Sequence, residues 1–266
     1  MYPFAYLRPS SLAEAAEWLA RHPEAKPLAG GMTLLPTLKQ RLDAPSHLVD
    51  VARLRELQGI ELGDTTLRIG AATRHAEVAD SAAVRQAAPG LATLAGLIGD
   101  AQVRHRGTLG GSVANSDPAA DYPAALLALA ATVLTDRRRI PADDFFTGLF
   151  ETALDPGELI VAVEFMRPQR SLYAKQRHPA SGYAVAGVFI ARHADGAVRV
   201  GVTGVGPCAF RWHEAEARLA QRFDAAALQR LALSPAGLNE DRSASADYRA
   251  HLVSTLARRA MADLAP

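Results

Sequence analysis

The chain has 266 residues, 49% of them hydrophobic and 21% charged, with a formal net charge of +1. This composition excludes a disordered chain and provides no global basic field for nucleic acid or anionic lipid. The single cysteine, Cys208, excludes an internal disulfide framework and any cysteine-ligated iron–sulfur cluster held by this chain alone.

No apolar run approaches the ~18 residues of a membrane span. The N-terminus lacks the charged-then-apolar order of a signal peptide, so a cytoplasmic location is expected. The length suggests roughly two domains. SSLAEAAEWLARHP (10–23) reads as the first helix, with Ser11 and Glu14 at capping-box spacing and Leu12, Ala15, Ala16 and Leu19 on one face. KPLAGG (26–31) reads as a short strand running into glycine. TLLPTLKQRL (33–42) resumes helical spacing at Leu34, Leu35, Leu38 and Leu42, and HLVDV (47–51) is another strand. This order predicts a small α/β unit with a parallel sheet.

From about residue 56 the texture changes. TLRIGAATRH (66–75) reads as a strand. SAAVRQAAPGLATLAGLIG (81–99) reads as helix interrupted by Pro89 and Gly90. AALLALAATVL (124–134) reads as a buried helix running into a strand, DRRR (136–139) as a solvated turn, and GELIVAVEF (157–165) as a strand. A boundary falls near residue 168. Beyond it, GYAVAGVFIARH (182–193) and AVRVGVTGV (197–205) form a hairpin through Asp195–Gly196. HEAEARLAQ (213–221), DAAALQRLAL (224–233) and ADYRAHLVSTLARRAMADL (246–264) read as helices, with Leu252, Leu256 and Met261 as a core stripe. Strands followed by helices indicate an α+β domain.

Two segments concentrate glycine: LAGGMTLLP (28–36) and GTLGGSVAN (107–115). Each is expected where a strand gives way to loop or helix. Glycine lets a ligand approach the main chain, and successive N–H groups form an anion-binding nest. Thr33, Thr108 and Ser112 add hydroxyls. Asp117 can cap a turn, and Asp121 can cap the next helix or accept from a ribose or adenine. Neither segment matches G-x-G-x-x-G, and no P-loop occurs. His75, His105 and His178 lie near these motifs without forming a metal-ligand set. Ser112 belongs to no Ser–His–Asp set.

PLAGGMTLLPTLKQRL, LRIGAATRHAEVA, QVRHRGTLGGSVANSDPAADYPAALLAL, DFFTGLFETALDPGELI and KQRHPASGYAVAGV occur in that order. Together they resemble the FAD-binding medium subunit of molybdenum hydroxylases, the aerobic carbon monoxide dehydrogenase family, whose flavin domain is similar to that of xanthine dehydrogenase. The resemblance spans essentially the whole chain. It implies a PCMH-type FAD-binding domain of two α/β subdomains (about 1–55 and 56–168), followed by a smaller C-terminal α+β domain (169–266) with a short antiparallel sheet and helices.

The resemblance also implies that both glycine segments wrap the FAD pyrophosphate with backbone N–H groups. Leu28, Ala29, Gly30, Gly31, Met32, Thr33, Leu34 and Leu35 match the first segment; Thr108, Leu109, Gly110, Gly111 and Ser112 match the second. Asp121 matches an acidic residue contacting the adenosine part, and Ile98 and Ile160 match apolar positions lining the flavin site. Lys175 matches a lysine near the isoalloxazine, where a positive charge would raise the flavin potential, and Tyr183 matches an aromatic residue near the ring's face. The chain departs from the pattern at Met32, where the family often has a polar residue, and at Gly182, which replaces an acidic one.

The function so implied is an oxidoreductase subunit that passes electrons from two [2Fe–2S] clusters through FAD to an external acceptor. The clusters and a molybdopterin cofactor are expected in a small iron–sulfur subunit and a large molybdopterin subunit, assembled as a dimer of heterotrimers. Two alternatives stand beside it. A stand-alone FAD-dependent oxidase would need an acid/base pair that the sequence does not display. A non-catalytic anion-binding or assembly module would use the same glycine loops for another anion.

Overall fold

The computed structural model describes residues 1–242 and 244–263. The first sheet is parallel. Strand His47–Asp50 lies between Ala5–Leu7 and Lys26–Leu28. Helix Leu12–Arg21 buries Ala15 and Leu19 in a core with Val49, Val51, Leu54 and Leu57. The Ser11 hydroxyl accepts from the Glu14 amide at 3.2 Å, as the spacing predicts. The Glu14 carboxylate, however, reaches back to the amide and hydroxyl of Ser10 rather than to Ser11. The second helix covers only Leu34–Lys39. Arg41 adopts φ +60°, so Leu42 falls beyond the helix and is 73% exposed instead of lying on its buried face.

The second sheet is antiparallel, in the order Ile60–Leu62, Thr66–Gly70, Ile160–Met166, Thr132–Thr135, Arg139–Pro141. The strand expected over 66–75 stops at Gly70, because the chain passes against the Leu57 carbonyl there. A Cβ at Gly70 would stand 2.4 Å from that oxygen. Helix His75–Asp80 follows. The helical run breaks at Pro89 as expected, and Pro89 starts the next helix. Ala82–Ala87 and Pro89–Gly96 are separate helices, and proline at the first helical position sacrifices no hydrogen bond. Gly90 packs against the backbone of Ser171–Leu172, and its amide donates to the Ser171 hydroxyl at 3.0 Å. Leu67, Ile69, Leu94, Leu126, Val163 and Phe165 are sealed in the core between sheet and helices. Each such side chain contributes about 1.5–3 kcal/mol of burial.

A third, antiparallel sheet begins at Arg170 and runs Arg170–Arg177, Ala184–Arg192, Val198–Thr203, Phe210–Arg211. Its central hairpin turns at Asp195–Gly196, with Gly196 at φ +86° and the Asp195 carboxylate accepting from Ala197 N at 2.9 Å. Helices His213–Gln221 and Ala246–Ala262 cover one face over Val188, Ile190, Val200 and Val202. Leu256 and Met261 are buried in that core and Leu252 partly so. Between the helices, the stretch 224–233 forms only a 3-10 turn at Ala225–Leu228. Leu264, expected in the last helix, lies outside the described residues. Among the described residues no helix is long and apolar enough to cross a membrane.

Candidate functional site

The three sheets leave between them a cavity of about 540 Å³, within the range of small-molecule sites. Its wall includes Ala29, Gly30, Gly31, Met32, Thr33, Leu34, Ile98, Thr108, Gly110, Gly111, Ser112, Asp121, Ile160 and Tyr183. Leu28, Leu35, Leu109 and Lys175 stand off the wall. Leu28 ends the strand, Leu35 packs beneath Gly31, and Leu109 is fully buried.

The first glycine segment leaves strand Lys26–Leu28, turns at Gly31 (φ +72°) and enters helix Leu34–Lys39. Among the described residues no protein acceptor takes the amides of Gly30, Gly31, Met32 or Thr33. Four consecutive free donors on the wall of a cavity make a nest for an anion. The departure at Met32 leaves this intact, since its amide remains available.

The second segment behaves differently. It joins helix Ala101–Arg106 to helix Leu109–Asn115 rather than following a strand. Thr108 caps the latter helix. The amides of Leu109, Gly110, Gly111 and Ser112 are all taken, by Thr73 O, Ala71 O, the Thr108 hydroxyl and Thr108 O. From Leu109 to Ser112 the fold therefore spends the backbone donors expected for a ligand, while the Thr108 amide, on the cavity wall, takes no protein acceptor among the described residues. Its glycines serve close approach. A Cβ at Gly110 would stand 2.5 Å from the Ala71 Cβ, and one at Gly30 would stand 2.1 Å from Arg106 O. The two segments thus touch at Gly30.

Asp121 is 4% exposed. Its carboxylate accepts from the Tyr173 hydroxyl and from Lys175 Nζ at 2.9 Å; Lys175 also donates to Leu97 O at 3.3 Å. Burial pushes the Asp121 carboxyl up, against the pull of Lys175 and Tyr173. It makes no cap to the helix that follows. The pair puts the carboxylate on the cavity wall and the ammonium behind it, so the Lys175 charge is neutralised by Asp121 rather than presented alone to a ligand. Asp117 caps the turn as expected, accepting from Ala119 N at 2.8 Å.

Two loops complete the mouth. The carbonyls of Ile98 and Gly99 are held by Arg104 Nη1 at 3.0 and 3.2 Å, and Gly99 O also accepts from Arg177 Nη2 at 2.8 Å. Tyr183, on the 178–183 loop, shares the cavity wall with Thr33. Gly182 adopts φ +75° against the Arg177 guanidinium, which accounts for the missing acidic side chain.

Sequence reasoning missed Glu158 and assigned nothing to His75, both on the wall. Glu158 accepts from Arg138 Nε at 3.0 Å and Nη2 at 2.8 Å, from the Thr135 hydroxyl at 2.7 Å and from Asp155 N at 2.7 Å. The Arg138 bonds lead in holding its carboxyl down at about 2. DRRR is thus the exposed turn expected, with Arg138 reaching the buried Glu158 carboxylate from the surface. Charge pairing between 136–139 and 155–158 was the available signal. The His75 imidazole is held down at about 4 by burial and by Arg104 beside it. No cluster of metal-ligating side chains forms among the described residues.

Residues 2–167 match the family described as the FAD binding domain in molybdopterin dehydrogenase. The chain is 34% identical over 274 residues to the carbon monoxide dehydrogenase medium chain of Hydrogenophaga pseudoflava, covering 97% of this chain and 96% of the relative. It is 36% identical over 278 residues to the 6-hydroxypseudooxynicotine dehydrogenase complex subunit alpha of Paenarthrobacter nicotinovorans, covering 97% and 93%. The crystal structure of quinoline 2-oxidoreductase from Pseudomonas putida 86 superposes with a TM-score of 0.88 at 30% identity, covering 99% of this chain and 97% of that one.

Proposed function

Because the chain belongs to the family of FAD-binding domains of molybdopterin dehydrogenases, we propose that it is the electron-transferring flavin subunit of a molybdenum-hydroxylase complex. In this reading it relays electrons from [2Fe–2S] clusters of a small subunit, fed by a large molybdopterin subunit, to an external acceptor. The assembly is a dimer of heterotrimers. The observation that carries the reading is the run of four free amides, Gly30 to Thr33, on the wall of the cavity.

The residues present fit FAD. The free amides suit its diphosphate, Gly30 lets the two segments close on each other, and Ile98 and Ile160 provide apolar surface. FAD, when bound, supplies redox chemistry that couples one-electron and two-electron partners. The chain's own residues bind and orient it. The Gly31 turn presents the donors, the Asp121–Lys175–Tyr173 group fixes one wall, and Arg104 and Arg177 hold the Ile98–Gly99 loop. In this reading substrate chemistry belongs to another chain of the complex. The relatives named above act on unlike substrates, which agrees with a subunit that does not select the substrate.

The test is to purify the protein gently with whatever co-purifies, denature it, and identify released flavin by chromatography and mass. Stoichiometric FAD with two further subunits is expected. An intact three-subunit complex without flavin overturns the reading.

A further inference from the structure

His75 opens helix His75–Asp80, and its backbone N–H donates to Gly107 O at 3.0 Å. That bond draws the imidazole under the second glycine segment: a Cβ at Gly107 would stand 2.6 Å from His75 Nε2. Gly107 in turn meets the first segment, since a Cβ at Gly30 would stand 2.7 Å from the Gly107 Cα. The ring and Gly30 therefore both pack on Gly107, where the two segments meet.

The residue is 4% exposed and lines the cavity. Its Nδ1 is sealed and has no partner, and Tyr122, whose hydroxyl is likewise sealed and unpartnered, packs against the ring at 5.4 Å between centroids. Nε2 is not among the sealed atoms, and His75 lines the cavity, so Nε2 is the ring nitrogen that can meet a ligand there. A ring nitrogen open to the cavity and without a protein partner is free to bond a ligand oxygen.

We infer that His75 is a further cofactor-binding residue, donating from Nε2 to the diphosphate of the bound dinucleotide. The inference rests on the FAD reading of this cavity. Phosphate oxygens only accept, so Nε2 carries the proton and Nδ1 is the bare nitrogen on the sealed side. Burial and the neighbouring Arg104 disfavour a second proton. In the ligand-free chain His75 is therefore a neutral donor.

The test uses the full chain with its co-purifying subunits, stripped of flavin. Dissociation constants are measured for FAD by flavin fluorescence, and for ADP and adenosine by competition, on wild type, His75→Phe and His75→Gln. His75→Phe is expected to weaken FAD and ADP about tenfold and leave adenosine unchanged, with His75→Gln recovering most of the loss. Equal losses for ADP and adenosine, or no loss at all, overturns the inference. Should His75→Phe not fold, the imidazole ¹⁵N spectrum of wild type decides: ADP must shift the Nε2 resonance and adenosine must not. Wild type that binds no FAD overturns the reading of the cavity itself, a result distinct from failure of the His75 contact alone.

Discussion

Lys175 donates to Asp121 at 2.9 Å with both side chains sealed, 1% and 5% exposed. Neither charge has solvent to fall back on, so removing one partner strands the other. Lys175→Met is expected to cost about 3–5 kcal/mol. The double replacement, Asp121→Asn with Lys175→Met, is expected to recover part of that loss. Urea unfolding of the two single variants, the double variant and wild type measures the coupling; strictly additive losses would show that the pair contributes nothing as a pair.

The same lysine controls a pH response. Burial raises the Asp121 carboxyl, and Lys175 opposes the rise. Without Lys175 the raised carboxyl dominates. A group whose folded pKa is raised adds stability at low pH and loses it as pH rises through the folded value. Lys175→Met is therefore expected to melt at a higher temperature at pH 5 than at pH 8 relative to wild type. Thermal melts across that range check it; parallel profiles for the two proteins would contradict it.

Glu158 gives the opposite slope. Its carboxyl is depressed from 4.5 to about 2, first by the Arg138 hydrogen bonds. A depressed group contributes stability that is fully present above its unfolded pKa, and the contribution is lost as pH falls from about 4.5 towards 2. Glu158→Gln keeps the volume and removes the charge. It is expected to lose about 2 kcal/mol at neutral pH and to flatten the acid limb over that window. Denaturation at pH 7, 4.5 and 3 tests both parts.

Much of this was legible in the sequence because the signal was local. Ser11, Asp195–Gly196 and the Gly30–Gly31 turn each act through a neighbour a few residues away, and the structure forms a cap, a hairpin and an open turn there. The failures are long-range. Nothing near Lys175 in the sequence shows that Asp121, 54 positions away, will neutralise it. The glycines of 107–111 looked like donors to a ligand, yet Ala71 and Thr73 claim the amides of Leu109 and Gly110 across the fold. Helical spacing carried Leu42 into a helix that Arg41 ends by turning left-handed. Composition marked where a ligand could approach; which donors stayed free depended on packing.

The contact between the two glycine segments provides the sharpest test of the site. A Cβ at Gly30 would lie 2.1 Å from Arg106 O, and that backbone cannot yield. Gly107 N is bonded to Val103 O at 2.7 Å and Gly107 O to His75 N at 3.0 Å, pinning the peptide on both sides. Gly30→Ala must therefore push the first segment away and spoil the aim of its free amides. We expect FAD affinity to fall at least about tenfold, with a stability loss of about 1–3 kcal/mol from overpacking. Gly63→Ala is the control. Its Cβ meets only Thr66, at 3.4 Å and beyond, an ordinary contact in a turn remote from the cavity. Both variants are stripped of flavin and titrated with FAD beside wild type. Weak binding by Gly30→Ala with normal binding by Gly63→Ala ties the cofactor to this junction. Wild-type affinity in Gly30→Ala would mean that the dinucleotide does not depend on the approach of the two segments, and the free amides of Gly30–Thr33 would then need another ligand.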